Sequence, residues 1–140
     1  MDALAQPIRR GSVTPIDADL NDLSGAVVDA AYRVHSALGP GLMEGVYETC
    51  LAYELGERRV PYVRQLEVPV QYDGQSMGTG FRVDLFVGNR LIVELKAVES
   101  INKVHKAQLL TYMKLMDQRL GLLINFNVHL IRDGITRLIL

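Results

Sequence analysis

Apolar positions Leu23, Val27, Ala31, Val34 and Leu38 recur at helical spacing, with Asn21 or Asp22 placed to cap the N-terminus. Gly39-Pro40-Gly41 stops that helix. A second is expected from about Leu42 to Arg59, with Val46, Cys50, Tyr53 and Leu55 among its core residues, and Pro61 closes it. Strand-like alternation follows from about Val63 to Tyr72, then a turn at Asp73-Gly74 and two short strands, Phe81–Val87 and Leu91–Lys96. The pattern returns to helical spacing over about Lys103 to Met116 and to a strand over Leu120–Asn125. The tail reads as a hairpin, Val128–Arg132 with Ile135–Leu140, turned at Asp133-Gly134. Residues 1–19 lack periodicity, contain Pro7, Gly11 and Pro15, and are expected to form a flexible arm ahead of one domain over 20–140. The chain is therefore expected to be a mixed α/β protein.

The central hairpin carries charges where a plain core strand would not. Alternation puts Glu94 and Lys96 on one face of their strand. Whether Asp84 joins them depends on the loop. A two-residue turn on Gly88-Asn89 sets Asp84 opposite Val93 and leaves Glu94 beside Val83. An odd loop centred on Asn89 sets Asp84 opposite Glu94, Arg82 opposite Lys96 and Phe86 opposite Ile92. The other face then holds Val83, Leu85 and Val87 against Leu95, Val93 and Leu91. Only this second register separates an apolar face from a charged one, so it is the one expected, with a three-residue loop and Gly88 or Asn89 at positive φ.

Two carboxylates and an ammonium beside a core suit metal-assisted phosphodiester hydrolysis. Carboxylate oxygens are hard ligands for Mg²⁺ or Mn²⁺, and a lysine can orient water or stabilise charge on phosphorus. A half-exposed salt-bridge cluster is the plainer alternative. Glu44, near the start of the second helix, suits the helix dipole whatever its role, and Tyr47 reads as a core aromatic. Gln108 shares a helix face with Val104, Tyr112 and Leu115, either as a buried amide that the carboxylates could partner or as a glutamine at the edge of the apolar stripe. His35, His105 and His129 are scattered and read as surface or capping residues.

Composition narrows the choice of function. With 140 residues, 49% hydrophobic and 22% charged, the chain can bury a core and is not of disordered type. Its single cysteine, Cys50, excludes an internal disulfide and reads as a buried thiol, and no Cys/His spacing suggests zinc. The longest apolar runs are too short to span a bilayer, and no signal-peptide-like stretch opens the chain, so a cytoplasmic location without membrane contact is expected. A net charge of −1 argues against avid nonspecific nucleic-acid binding. Basic residues do concentrate between Arg90 and Arg119, as a rim or as a solvated helix face.

Gly41-Leu42-Met43-Glu44-Gly45-Val46-Tyr47 resembles the signature of the GxxExxY protein family. Phe81–Leu85, Val93–Ala97, Ala107–Tyr112 and Leu122–Phe126 follow in that family's order. The resemblance covers about residues 20–140. The family is similar to the PD-(D/E)xK nuclease superfamily, which implies a restriction-endonuclease-like core: helix, three antiparallel strands, helix, strand, here with an added C-terminal β-hairpin. It implies that Asp84 and Glu94 bind Mg²⁺ (or Mn²⁺), with the Leu95 carbonyl as a further ligand, and that Glu44 completes the acidic cluster. It also implies that Lys96 is the catalytic lysine and that Gln108 and Tyr112 order the site or contact DNA. Val83 stands where some members have proline. The expected function is Mg²⁺-dependent hydrolysis of nucleic acid, DNA before RNA. The alternative is an inactive module that binds nucleic acid or protein. The Ile- and Leu-rich final strand adds the expectation of a homodimer through the C-terminal strands.

Overall fold

A computed structural model of the protein describes residues 14–140. Helix α1 spans Ala18–Leu38 and α2 Glu44–Glu57; strands β1 (Tyr62–Tyr72), β2 (Gln75–Val87) and β3 (Leu91–Lys96) follow, then α3 (Lys103–Leu115), β4 (Leu120–Asn125) and β5 (Ile135–Ile139). The strands form one sheet in sequence order, antiparallel except for the parallel pair β3–β4, which α3 connects. Helices α1 and α2 pack on one face, where Val27, Ala31, Tyr47 and Leu51 meet Leu85, Val87, Val93 and Ile124. Helix α3 covers the other, where Leu109 and Met113 meet Val83, Phe86, Ile92 and Leu123. Two covered faces explain why Leu91–Leu95 and Leu120–Asn125 are buried at every position, with little alternation in the sequence. The mixed α/β architecture is the one expected.

Helix α1 starts earlier than its apolar periodicity indicates. The cap is Asp17, not Asn21 or Asp22, and its Oδ1 accepts the Leu20 N–H at 3.0 Å. Asp17 also takes a two-pronged ion pair from Arg90, at 2.8 and 2.6 Å, which holds its carboxyl well below the usual carboxylate range. Arg119 donates to the carbonyls of Thr14 and Pro15. Residues 14–19 are thus tied to the domain rather than part of an arm. The rest of the expected arm, 1–13, lies outside the described residues.

Helix α2 buries Leu55 and Tyr47 as expected, but it is turned so that the other expected core positions face partly or wholly outward. Tyr47, Glu48, Leu51, Ala52 and Leu55 point inward, whereas Val46 is 42% exposed, Tyr53 is 64% exposed and Cys50 is half-buried. Apolar residues occur on both sides of this helix, and tertiary contacts choose between them. Tyr47 stacks on Phe126 with centroids 4.5 Å apart, donates to the Gly39 carbonyl at 2.6 Å and accepts the Leu42 N–H at 3.1 Å. That network fastens the 39–42 loop and sets where α2 begins.

The C-terminal hairpin is corrected to a single strand. No strand forms over Val128–Arg132. His35 Nε2 donates to the Val128 carbonyl at 2.8 Å, which draws that backbone toward α1, and a 3₁₀ turn over Ile131–Gly134 leads directly into β5. His35 is therefore buried and not a surface histidine. Gly134 allows the turn to press on β4, since a Cβ there would lie 2.0 Å from the Asn125 carbonyl oxygen.

Two glycine substitutions test this packing. In α1, a Cβ on Gly25 meets nothing within 4 Å, so Gly25→Ala should raise stability by roughly 0.5–1 kcal/mol through helix propensity. Gly134→Ala must displace β4 or the turn, and should lower urea-unfolding stability by about 2 kcal/mol or more.

Candidate functional site

Strands β2 and β3 pair through Val87↔Leu91, Phe86↔Ile92 and Leu85↔Val93, which leaves the expected three-residue loop, and both Gly88 (φ 58°) and Asn89 (φ 59°) take positive φ. The regular ladder then ends. Strand β2 continues paired only with β1, and β3 continues paired only with β4 as far as Lys96↔Asn125, so the sheet forks. Asp84 and Glu94 stand at the fork. Glu94 Oε2 accepts the Asp84 N–H at 2.7 Å, and Asp84 Oδ2 accepts the Leu95 N–H at 2.8 Å. These crossed bonds satisfy backbone donors that the lost ladder would otherwise leave unpaired, and they place the two carboxylates side by side. The expected pairing of Arg82 with Lys96 lies beyond the fork and is not part of the ladder.

The fork also overturns the expectation of one apolar and one charged face. Val83 packs toward α3 with Phe86 and Ile92, while Leu85 and Val87 pack toward α1 and α2. The strand changes face at Asp84. Its neighbour β1 does the same at Gln65 (φ 49°): Leu66 packs toward α3, whereas Arg64 reaches Glu48 of α2.

Around the fork burial raises the pKa of the acids, and neighbouring negative charge adds to it. Burial, and then the Asp84 charge, push Glu94 from an ordinary 4.5 up to about 8. Burial raises Asp84 as well, with the Glu48 charge adding to it; at Glu44 partial desolvation acts first and the Asp84 charge second. Lys96 opposes the rise at all three. Tyr112 is raised by desolvation and then by the charges of Glu94 and Asp84, while its bond with Gln108 acts the other way. The fold therefore gathers Glu44, Asp84, Glu94, Lys96 and Tyr112 into one electrostatic neighbourhood, with α2 contributing from one side of the sheet and α3 from the other.

Further contacts hold these groups in place. Tyr112 stacks on Phe81 with centroids 4.1 Å apart. Gln108 is exposed rather than buried, and its expected stripe-mates Val104 and Leu115 are exposed too; α3 buries Leu109 and Met113 instead. Lys96 is fixed through its backbone, because its carbonyl accepts the Phe126 N–H at 2.9 Å and buried Asn125 ties Val98 to the end of β4. His105 forms a capping box with Asn102, a capping role as expected. Arg90 and Arg119 are used in the structural contacts described above, which leaves Lys103, Lys106 and Lys114 of α3 as the exposed part of the expected basic rim.

Sequence reasoning missed Glu48, Gln65 and Asn125. Glu48 stood one helical turn after Glu44, a spacing that shares a face and could have flagged it. No sequence signal marks the left-handed backbone at Gln65. Among the described residues, no group of three or more His, Cys, Asp or Glu is arranged to hold a metal ion.

The raised acids carry a pH dependence. Between 4.5 and about 8 the folded protein holds a proton on Glu94 that the unfolded chain has lost, so stability should fall as pH rises through that window. Glu94→Gln removes the titration. Its melting temperature relative to wild type should climb from about pH 5 to about pH 8.5, where the variant becomes the more stable protein. A constant difference between the two across that range would contradict the assignment.

No helix among the described residues is long and apolar enough to cross a membrane. Comparison with known proteins gives one family: the model of the PD-(D/E)XK nuclease superfamily matches residues 21–138. No curated protein and no solved structure matches the chain. The forked sheet, flanked by helices and carrying its carboxylates at the fork, agrees with that match, which spans most of the sequence. The chain belongs to the PD-(D/E)XK nuclease superfamily.

Proposed function

We propose that the protein is a divalent-metal-dependent nuclease that hydrolyses phosphodiester bonds, with DNA as its first substrate class. The reading rests on one observation above others: crossed backbone bonds bring Asp84 and Glu94 together beside Lys96. Superfamily membership supports the nuclease-like character.

The donor chemistry fits Mg²⁺ or Mn²⁺. The carboxyl groups of Glu44, Asp84 and Glu94 crowd a partly desolvated corner, where burial first and the charges of neighbouring acids, Glu48 among them, second raise their pKa. A bound cation would relieve that crowding. Asp84 and Glu94 would hold it, with the Leu95 carbonyl and Glu44 as further oxygen donors. When bound, the ion would lower the pKa of water and neutralise charge on phosphate. Lys96 orients the attacking water and stabilises the negative charge that develops on the phosphoryl oxygens. Gln108 and Tyr112, at the exposed edge of α3, contact the strand being cut. The lysines Lys103, Lys106 and Lys114 on the same helix offer charge for flanking phosphates.

One observation favours a second reading, a module that binds nucleic acid without cutting it: the acids are not pre-gathered into a three-ligand metal cluster among the described residues. The same assay separates the two. Labelled linear, circular and single-stranded DNA and RNA are incubated with Mg²⁺ or Mn²⁺. Cleavage should occur, and it should fall by about 100-fold or more in each of Asp84→Ala, Glu94→Ala and Lys96→Ala. Binding without cleavage by wild type would favour the module. Full activity of the folded variants would exclude this site. Any homodimer would form through the free edge of β5, the last strand of the sheet, and sedimentation velocity would reveal it.

A further inference from the structure

Two neighbouring residues of β1 reach one buried carboxylate. Arg64 donates from Nε to Glu48 Oε2 at 3.0 Å, and its Nη2 lies 3.0 Å from the same oxygen. Gln65 Nε2 donates to Glu48 Oε1 at 2.6 Å. Consecutive side chains of a regular strand point to opposite faces, so a shared partner requires a break in the strand. The left-handed backbone of Gln65 (φ 49°) supplies it, at the position where the β1–β2 ladder lacks a Gln65–Asp84 pair. A glutamine seldom adopts this conformation, and such positions gather where geometry serves a site.

The same amide nitrogen also donates to Asp84 Oδ1 at 3.1 Å. Both N–H bonds of one Nε2 thus end on carboxylates, one anchored and one at the fork. Glu48 is only 7% exposed and has both oxygens engaged by residues 64 and 65, which suits an anchor better than a metal ligand. Asp84 has Oδ2 fixed by the Leu95 N–H and Oδ1 fixed by Gln65. Its carboxylate is therefore held at both ends. The neutral amide does this without adding a charge, where a lysine would compete with a cation and a glutamate would repel Asp84.

We propose that Gln65, anchored by Glu48 and Arg64, is the positioning residue that aims the Asp84 carboxylate into the fork before any ligand arrives. This rests on the reading of Asp84 as a group of the hydrolytic site. Orientation fixed in advance is not charged against binding, and loss of such an outer contact typically weakens metal affinity about tenfold or more.

Gln65→Gly tests it, because glycine accepts the positive φ and should keep the fold while removing the amide. The melting temperature should fall by roughly 5–10 °C, the cost of leaving Glu48 Oε1 without its amide partner, with a cooperative transition kept. In the metal-free protein, NMR couplings about the Asp84 Cα–Cβ bond should change from single-rotamer to averaged values. By calorimetry the Mn²⁺ dissociation constant should rise about tenfold, and cleavage should lose kcat with KM for DNA unchanged. Unchanged Asp84 couplings in the variant would overturn the proposal, as would unchanged Mn²⁺ affinity in a protein whose wild type binds the ion. If the couplings respond while wild type neither binds Mn²⁺ nor cuts, positioning stands and the nuclease reading falls.

Discussion

The structure turns on what happens one residue past the Leu85↔Val93 pair, where β2 and β3 stop sharing a ladder and their acidic side chains take over the bonding. An open fork in a sheet leaves amide donors needing acceptors, and buried donors without them are costly. Here the acceptors are carboxylates: Glu94 takes the Asp84 N–H and Asp84 takes the Leu95 N–H. The exchange bridges the fork and fixes two carboxyl groups at its apex. The same pair of bonds stabilises the fork and orients the groups of the proposed site. The cost is visible as the rise of Glu94 to about 8, caused first by burial and then by the Asp84 charge.

The rest of the fold serves that fork. Helices on both faces let β3 and β4 be apolar throughout, so these two strands form a stiff central pair from which Lys96 projects. Asn125, Phe126 and the close approach of Gly134 lock the ends of that pair. From one side α2 brings Glu44 and Glu48; from the other α3 brings Tyr112 and Gln108. A site assembled from both faces of a sheet needs the sheet to part, and the simultaneous change of face at Gln65 and Asp84 is how it parts.

Much of this was legible in the residues. Separation of an apolar from a charged face in Phe81–Val87 and Leu91–Lys96 selected the three-residue loop, and the loop is as expected although Val83 departs from that separation. Turn residues Asp73-Gly74 and strand Leu120–Asn125 were equally plain. What alternation could not show is where it fails: Val83 changes face for reasons that lie in the backbone of β1, on another strand. On α2 the sequence offered two apolar stripes, and only the stacking of Tyr47 on Phe126 chooses between them. The cap at Asp17 was hidden because its value lies partly in Arg90, distant in sequence. The tail hairpin failed for a similar reason, since His35 claims the Val128 carbonyl.

The central claim is that Asp84 and Glu94 form one cation-holding pocket next to Lys96. Anomalous diffraction from crystals grown with Mn²⁺ tests it most directly. The account predicts one strong anomalous peak at the fork, in contact with carboxylate oxygens of both residues. Full Mn²⁺ exposure with no peak there, or with manganese held only by other residues, would contradict it.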